Sequence, residues 1–274
     1  MAFSINTNES AFAALRTLNQ TTSQLNETQG RINTGQEVSS AKDDAATFQI
    51  AQNLRSDLGG LNAVQGSLDR AQSTTDVAIA AGEAVSDLLI QMKEKAVAAA
   101  DGGLDSTSRA ALNEDFTQLR DQITTIVGEA SFNGTNAVES GGDSILAITN
   151  DTGTNTISVG AQDLSLGGAN VTVGASDDIS TSANAATQVT NLENSISNVN
   201  SALSSLGSFS QRVELQQEFS TRLSDSIETG IGNLVDADLA KESANLQALQ
   251  TKQQLGLQAL GIANQAPQTV LGLF

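Results

Sequence analysis

Two adjacent carboxylate pairs, Asp43-Asp44 and Asp177-Asp178, are the residues in this 274-residue chain best suited to acid–base chemistry. Side chains at neighbouring helix positions point about 100° apart, so neither pair converges on one proton. No histidine or tyrosine exists to complete a relay, and both pairs read as helix caps or solvated acids. Histidine and cysteine are both absent. That removes thiolate and imidazole metal ligands, disulfides, His-activated nucleophiles and imidazole bases together. Asn150-Asp151-Thr152-Gly153 has the turn glycine of a calcium loop, but lacks its carboxylate spacing and closing glutamate. Gly167-Gly168 fits neither a dinucleotide nor a phosphate fingerprint and reads as a turn. Triplets such as Asn133-Gly134-Thr135 arise by chance in a chain so rich in Asn, Ser and Thr. The expectation is a protein with no catalytic site, no metal and no cofactor.

Composition describes what the chain can build instead. Apolar residues make up 39 %, with 23 glycines, eight phenylalanines and no tryptophan, so any core is aliphatic. Charged residues are only 16 %, against about 25 % in ordinary globular proteins. A single proline, Pro267, leaves the chain free to run in long helices. The net charge of −18 repels phosphate backbones and anionic lipid, which argues against nucleic-acid and membrane-surface binding. No apolar run approaches the ~18 residues of a membrane span. The N-terminus, MAFSINTNESAF, has neither the basic nor the apolar region of a cleavable secretory signal.

Seven-residue spacing dominates the pattern. From Leu54 one seam runs through Leu61, Leu68, Thr75, Gly82, Leu89 and Ala96, and a second through Val64, Ala71, Ala78, Val85, Met92 and Ala99. This predicts a helix from about Asp43 or Asp44 to Gly102-Gly103, a rod on the order of 85 Å long. A second helix is expected from Ser106 to about Gly128, folding back antiparallel with Leu112, Phe116 and Leu119 inward. Between 183 and 233 the heptad returns as Leu192, Val199, Leu206 and Val213, with a companion seam at Val189, Ile196 and Leu203. Three helices then share one aliphatic core.

The segment of about 131–182 is different in kind: rich in Gly, Ser, Thr and Asn, with six acids and no base. Ser144–Thr149 and Thr156–Val159 fit a β-hairpin, and the short apolar pieces at Val171 and Val173 are candidates for a further strand. Both chain ends are amphipathic and heptad-like. Ile5, Leu15, Leu18, Leu25 and Ile32 mark the first, and Leu239, Leu246, Leu249, Leu260, Val270 and Leu271 the second. Two lone helices bury too little apolar surface to offset the entropy of ordering them, so their partners are expected to be other copies of the chain. The reading is a mostly α fold: a long antiparallel helical bundle or coiled coil with a small β-hairpin region. It is discontinuous, with residues 1–40 plus 234–274 as a terminal coiled-coil domain and 41–233 as a helical bundle.

Particular runs carry a family resemblance: INTN at 5–8, RINTG at 31–35, SAKDDAA at 40–46, FNG at 132–134, DADLAKESA at 236–244 and ANQAPQTVLGLF at 263–274. In this order and at these distances from the termini, the chain resembles bacterial flagellins, with alphaproteobacterial wording at GNLVDADLAKESANLQALQTKQQLG. The resemblance implies a minimal two-domain subunit that self-assembles into the flagellar filament, its paired termini lining an inner tube. It also implies an extracellular location and export through the flagellar type III apparatus. A secretion chaperone, the filament cap and the hook-associated proteins are the partners it implies. The alternative within this architecture is a hook–filament junction protein, which shares the termini and the export route but caps a ring of subunits. An enzyme or a cytoplasmic coiled-coil scaffold would leave the terminal motifs without a reason.

Flagellins sensed strongly by the vertebrate toll-like flagellin receptor carry an L-Q-R-V-R-E-L-A stretch on the long helix. The matching positions here read Leu89-Ile90-Gln91-Met92-Lys93-Glu94-Lys95-Ala96. Gln91 replaces the first arginine, and a neutral amide cannot reproduce a planar guanidinium fork. The expectation is poor receptor activation despite the matching Glu114.

Overall fold

The computed structural model describes the backbone of residues 7–271 and the side chains of 7–265. In chain order the elements are α1 (Glu9–Thr34), α2 (Ala45–Ala99), α3 (Ser106–Glu129), β1 (Ser131–Phe132), β2 (Thr135–Asn136), β3 (Ile145–Ile148), β4 (Thr156–Val159), α4 (Ser182–Val235) and α5 (Leu239–Leu271). The chain divides into two units. One comprises the described parts of Met1–Ser56 and Ser226–Phe274, the other Asp57–Asp225, and α2 and α4 contribute residues to both.

In the terminal unit, Asn8 caps α1 by accepting from the Ala11 amide at 3.1 Å. Gly35, in the left-handed region at φ 71°, ends it with its own amide on Arg31 O at 2.9 Å. Asp238 starts α5 by accepting from the amides of Ala240 and Lys241. Between these ends the chain pairs with itself: Val235 O accepts from the Glu37 amide at 2.7 Å and Gly35 O from the Ala237 amide at 2.9 Å. Because that pairing ties the end of α1 to the start of α5, the two helices run back antiparallel. A small core of Val38, Ala51, Ile231 and Val235 lies beside it, with Phe48, Leu54 and Ile227 packed on it.

The second unit is the expected three-helix arrangement. Both heptad seams of α2 are buried from Leu61 and Val64 through Ala96 and Ala99. Arg109 closes the α2–α3 turn by donating to Ala99 O (3.0 Å), a carbonyl that the end of α2 leaves without an intrahelical partner, and to Asp101 O (2.8 Å) and Leu104 O (3.2 Å) in the turn itself. Asp105 caps α3 by accepting from the amides of Thr107 and Ser108 at 2.8 and 2.9 Å.

Asn133 and Gly134 both have positive φ, 51° and 81°, the geometry of a two-residue hairpin turn that joins β1 to β2. Buried Asn136 ties this turn to α3 by donating to Val127 O at 2.8 Å and accepting from the Val138 and Glu139 amides. The expected hairpin is β3–β4, antiparallel, with Ile145 opposite Val159 and Ile148 opposite Thr156. It docks on α2 through the Ile148 amide, which donates to Ser67 Oγ at 3.1 Å.

Two details differ from the sequence reading. Val171 and Val173 are fully buried without forming a strand, and Val171 makes a single bridge to Leu166. The segment between them bonds to α4 instead: the Thr172 amide donates to Ser195 Oγ at 2.9 Å and its hydroxyl to Asn191 O. On α4 the companion seam Val189, Ile196 and Leu203 is only half-buried. The opposite flank, Gln188, Ser195, Ala202 and Phe209, is the one that is buried.

Candidate assembly interface

The acidic pairs are structural. Asp43 Oδ2 accepts from the amides and hydroxyls of both Ser39 and Ser40, at 2.9–3.1 Å. These bonds, led by the Ser40 hydroxyl, hold its pKa below the ordinary carboxylate value. Asp44 caps α2, and the Thr47 hydroxyl with the Thr47 and Ala46 amides lowers it likewise. Asp177 accepts from the Gly174 amide at 2.8 Å. Asp178 is lowered chiefly by the Ser180 hydroxyl and then by Asn184. Asn150 Oδ1 accepts from the Asn155 amide at 2.8 Å and so closes the β3–β4 loop. Gly167, at φ 75°, sits in a turn closed by the Gly168 amide on Ser165 O.

The informative surface is the antiparallel pair of α1 and α5. Its register is set at three points. Asn8 Nδ2 donates to Ala263 O at 2.7 Å, Leu18 packs against Gly256, and Arg31 pairs with Glu242 at 3.5 Å. Only 7 % of Glu242 is exposed, and Arg31 also holds Glu27 at 3.0 Å and Glu37 at 3.9 Å. Of the terminal residues picked from sequence, Leu25 and Leu249 are buried in the pair. Leu18, Ile32, Leu246 and Leu260 are half-buried, and Leu15 and Leu239 are exposed. Ile5 and the side chains of Val270 and Leu271 lie outside the described residues.

The sequence reading did not single out Phe12 (57 % exposed), Leu255 (58 %), Leu257 or Ile262 (70 %). Leu255 and Ile262 are seven apart, a third heptad seam on α5 beside those of Leu246–Leu260 and Leu249–Ala263. A helix apolar on more than one side needs partners on more than one side. α1 covers one of them.

In the second unit Leu61, Val64, Leu68, Val85, Leu89, Phe116, Leu192, Val199, Leu206 and Val213 are buried, and Leu112 and Leu119 pack half-buried on the same core. Leu54 belongs instead to the small core of the terminal unit, because α2 runs through into that unit. Gln91 and Glu114 are exposed on α2 and α3. Lys95 pairs with Asp115 at 2.8 Å, and that carboxylate raises the pKa of the lysine.

Paired terminal helices that leave large apolar side chains in water, joined to a long closed bundle, define a structural subunit built to pack against copies of itself. Sequence comparison supplies the family. The bacterial flagellin N-terminal helical region matches residues 5–140 and the C-terminal helical region residues 189–274. Flagellin FljM of Caulobacter vibrioides is 46 % identical over 277 aligned positions, covering 99 % of this chain and 98 % of the relative. Flagellin A of Rhizobium meliloti is 32 % identical over 395 positions, covering 99 % of both. The Bacillus cereus flagellin crystal structure matches at a TM-score of 0.50 and 24 % identity, covering 56 % of this chain and 88 % of that one. A putative flagellar hook-associated protein from Vibrio parahaemolyticus shares the fold at a TM-score of 0.58 and 14 % identity, covering 71 % of this chain and all of that one. The chain belongs to the bacterial flagellin family and is a structural subunit of the flagellar filament, the extracellular polymer of swimming motility. No helix among the described residues is long and apolar enough to cross a membrane.

Proposed function

We propose that the α1–α5 unit carries each copy onto the next and that assembly completes its folding. The observation behind this reading is the set of large apolar side chains left in water on both helices: Phe12 and Leu15 on α1, Leu255, Leu257 and Ile262 on α5. Burying each removes about 1.5–3 kcal/mol of unfavourable exposure, and only neighbouring copies are on hand in a filament to bury them. Before assembly the same segments are the natural cargo of a chaperone, and their lack of fixed partners suits passage through the flagellar type III export channel. Elongation then takes place beneath the filament cap, beyond the hook-associated proteins. Residues 1–40 with 234–274 act as the polymerising domain and 41–233 as the helical bundle domain.

Seeded polymerisation tests this. Purified chain is added to short filament fragments, and elongation is followed by pelleting and electron microscopy. Long filaments are expected. Seeds that bind the chain yet stay short would identify a junction or capping subunit instead. Replacing Leu255 and Ile262 together by Ser should abolish elongation while leaving the 57–225 bundle folded.

A further inference from the structure

Asn133-Gly134 is the one Asn-Gly pair in the chain, and it forms the tip of the β1–β2 turn. An asparagine side chain followed by a backbone N–H carries its own electrophile and nucleophile. How firmly the fold holds the two decides whether they react, and here little holds them. Asn133 is exposed, and among the described residues no group bonds its side chain or the Gly134 amide. A Cβ built at Gly134 would meet nothing within 4 Å, so the nitrogen is open to approach. Joining the two groups in a ring needs rotation about the Asn133 Cα–C bond, which opens the turn. Only two residue pairs are lost, Ser131 with Asn136 and Phe132 with Thr135, and so short a hairpin is marginal in water. Opening also frees Asn133 from φ 51°, the one positive value among the described non-glycine residues.

Other asparagines of these loops are held. Asn136 is only 5 % exposed, donates to Val127 O at 2.8 Å and accepts from the Val138 and Glu139 amides. Those bonds anchor the base of the hairpin, so its tip opens without disturbing the bundle. Asn150 donates to Thr154 Oγ1 at 2.8 Å and accepts from the Asn155 amide, and the next residue, Asp151, is packed against Gly60. Asn170 donates to Asp163 O at 3.0 Å and precedes buried, β-branched Val171.

We propose that Asn133 is a site of spontaneous deamidation, which places a carboxylate beside Arg70. The Gly134 nitrogen, having lost its proton to hydroxide, attacks Asn133 Cγ. The N–Cγ bond forms, the Cγ–Nδ2 bond breaks, and ammonia leaves with a proton taken from water. The product is a five-membered cyclic imide. Water then adds to one of its two ring carbonyls and breaks that carbonyl's bond to nitrogen. Attack on the side-chain carbonyl leaves aspartate at position 133, and attack on the main-chain carbonyl leaves isoaspartate. Overall one water enters and one ammonia departs, with no change of oxidation state.

Either product carries its charge into the groove between α2 and the two hairpins, whose lining includes both Asn133 and Arg70. Arg70 is exposed and has no ion pair among the described residues, so the new acid meets a cation with no competing partner. Isoaspartate also adds a carbon to the main chain, which a two-residue turn cannot absorb. None of this depends on how copies assemble.

The full-length chain is aged at neutral and at mildly alkaline pH and then cut with a glutamate-specific protease. Cleavage after Glu129 and Glu139 releases residues 130–139, so fragmentation mass spectrometry reads Asn133 and Asn136 in one peptide. Asn133 should convert at least about tenfold faster than Asn136, whose hydrogen bonds must break first. Both aspartate and isoaspartate should form, at a rate that rises with pH as the amide nitrogen loses its proton. Gly134→Ala should slow conversion on the order of tenfold by crowding that nitrogen, with circular dichroism melting to check that the bundle folds. Asn133→Asp, a stand-in for the product, should lower the melting temperature more in an Arg70→Met background than in the wild type. Conversion no faster at Asn133 than at Asn136 overturns the site. Conversion without isoaspartate, or at an unchanged rate in Gly134→Ala, overturns attack by the Gly134 nitrogen. An Asn133→Asp effect equal in both backgrounds overturns the pairing with Arg70 alone.

Discussion

Gly60 on α2 lies against Asp151 in the β3–β4 loop so closely that a Cβ there would stand 2.8 Å from both the Cβ and the carbonyl oxygen of Asp151. Its neighbour Gly59 has nothing within 4 Å of the same position. Two adjacent glycines in one helix should thus respond to alanine with opposite signs. Gly59→Ala restores helix propensity and should stabilise the bundle by about 0.5–1 kcal/mol. Gly60→Ala gains the same propensity but pushes a backbone carbonyl aside, and should destabilise by about 1–3 kcal/mol net. Urea unfolding followed by circular dichroism measures both. Equal shifts would mean that helix and loop do not touch.

The seams of α2 were readable because every core position, Leu61 through Ala99, is apolar, small or a threonine at strict heptad spacing. On α4 the same method found the half-buried companion flank, whose Val189, Ile196 and Leu203 pack on the core, and missed the fully buried one. Two of its buried positions, Gln188 and Ser195, are polar and invisible to an apolar count. Ser195 belongs inside because it donates to Asn191 O at 2.7 Å and accepts from the Thr172 amide. Val171 and Val173 show the converse: they are apolar enough for a strand, but the backbone beside them bonds to α4 rather than to a neighbouring strand. The pairing of the terminal helices α1 and α5 was legible from periodicity. The exposure of Leu215 and Phe219 on α4 was not, because only the folded helix shows which side faces water.

Acid should loosen the bundle through its caps. Asp105 has a folded pKa below the ordinary 3.8, held there first by the Ser108 hydroxyl and then by the Ser108 amide. A carboxylate lowered on folding contributes stability that is fully present above its unfolded value and is lost as pH falls through the folded one. Asp44 and Asp178 are shifted in the same direction. Asp105→Asn keeps an acceptor for the α3 amides but does not titrate. The variant and the wild type should therefore melt at similar temperatures near neutrality, with the wild type falling more steeply below about pH 4. Melting curves across the acid range decide it. Parallel curves would remove Asp105 from the acid limb.

Weak activation of the toll-like flagellin receptor is expected from the exposed face of α2. Gln91 presents an amide where strongly sensed flagellins present a guanidinium, and Lys95 is already engaged by Asp115 at 2.8 Å. Glu114 is exposed but is bonded by Gln118 at 3.0 Å. Gln91→Arg changes one exposed side chain and should raise signalling in a reporter-cell assay without altering the fold. Strong signalling by the unmodified chain at nanomolar concentration would refute the role given to Gln91.

Arg31 and Glu242 fix the register of α1 on α5, and their removal should read out on the assembled filament. Glu242 is almost wholly buried, while the Arg31 side chain is 28 % exposed and shared with Glu27 and Glu37. Arg31→Met strands a carboxylate in a low-dielectric seam. That costs about 3–5 kcal/mol for a fully buried pair, and we expect about 1–3 kcal/mol here because water still reaches the arginine. Arg31→Met/Glu242→Leu removes the stranded charge along with its partner and leaves Glu27 and Glu37 in solvent, where an unpaired acid is cheap. Thermal dissociation of filaments should then rank wild type highest, the double variant close beneath it and Arg31→Met lowest. Were the double variant as unstable as the single, the pair would be acting through attraction alone, and the buried acid would carry no penalty of its own.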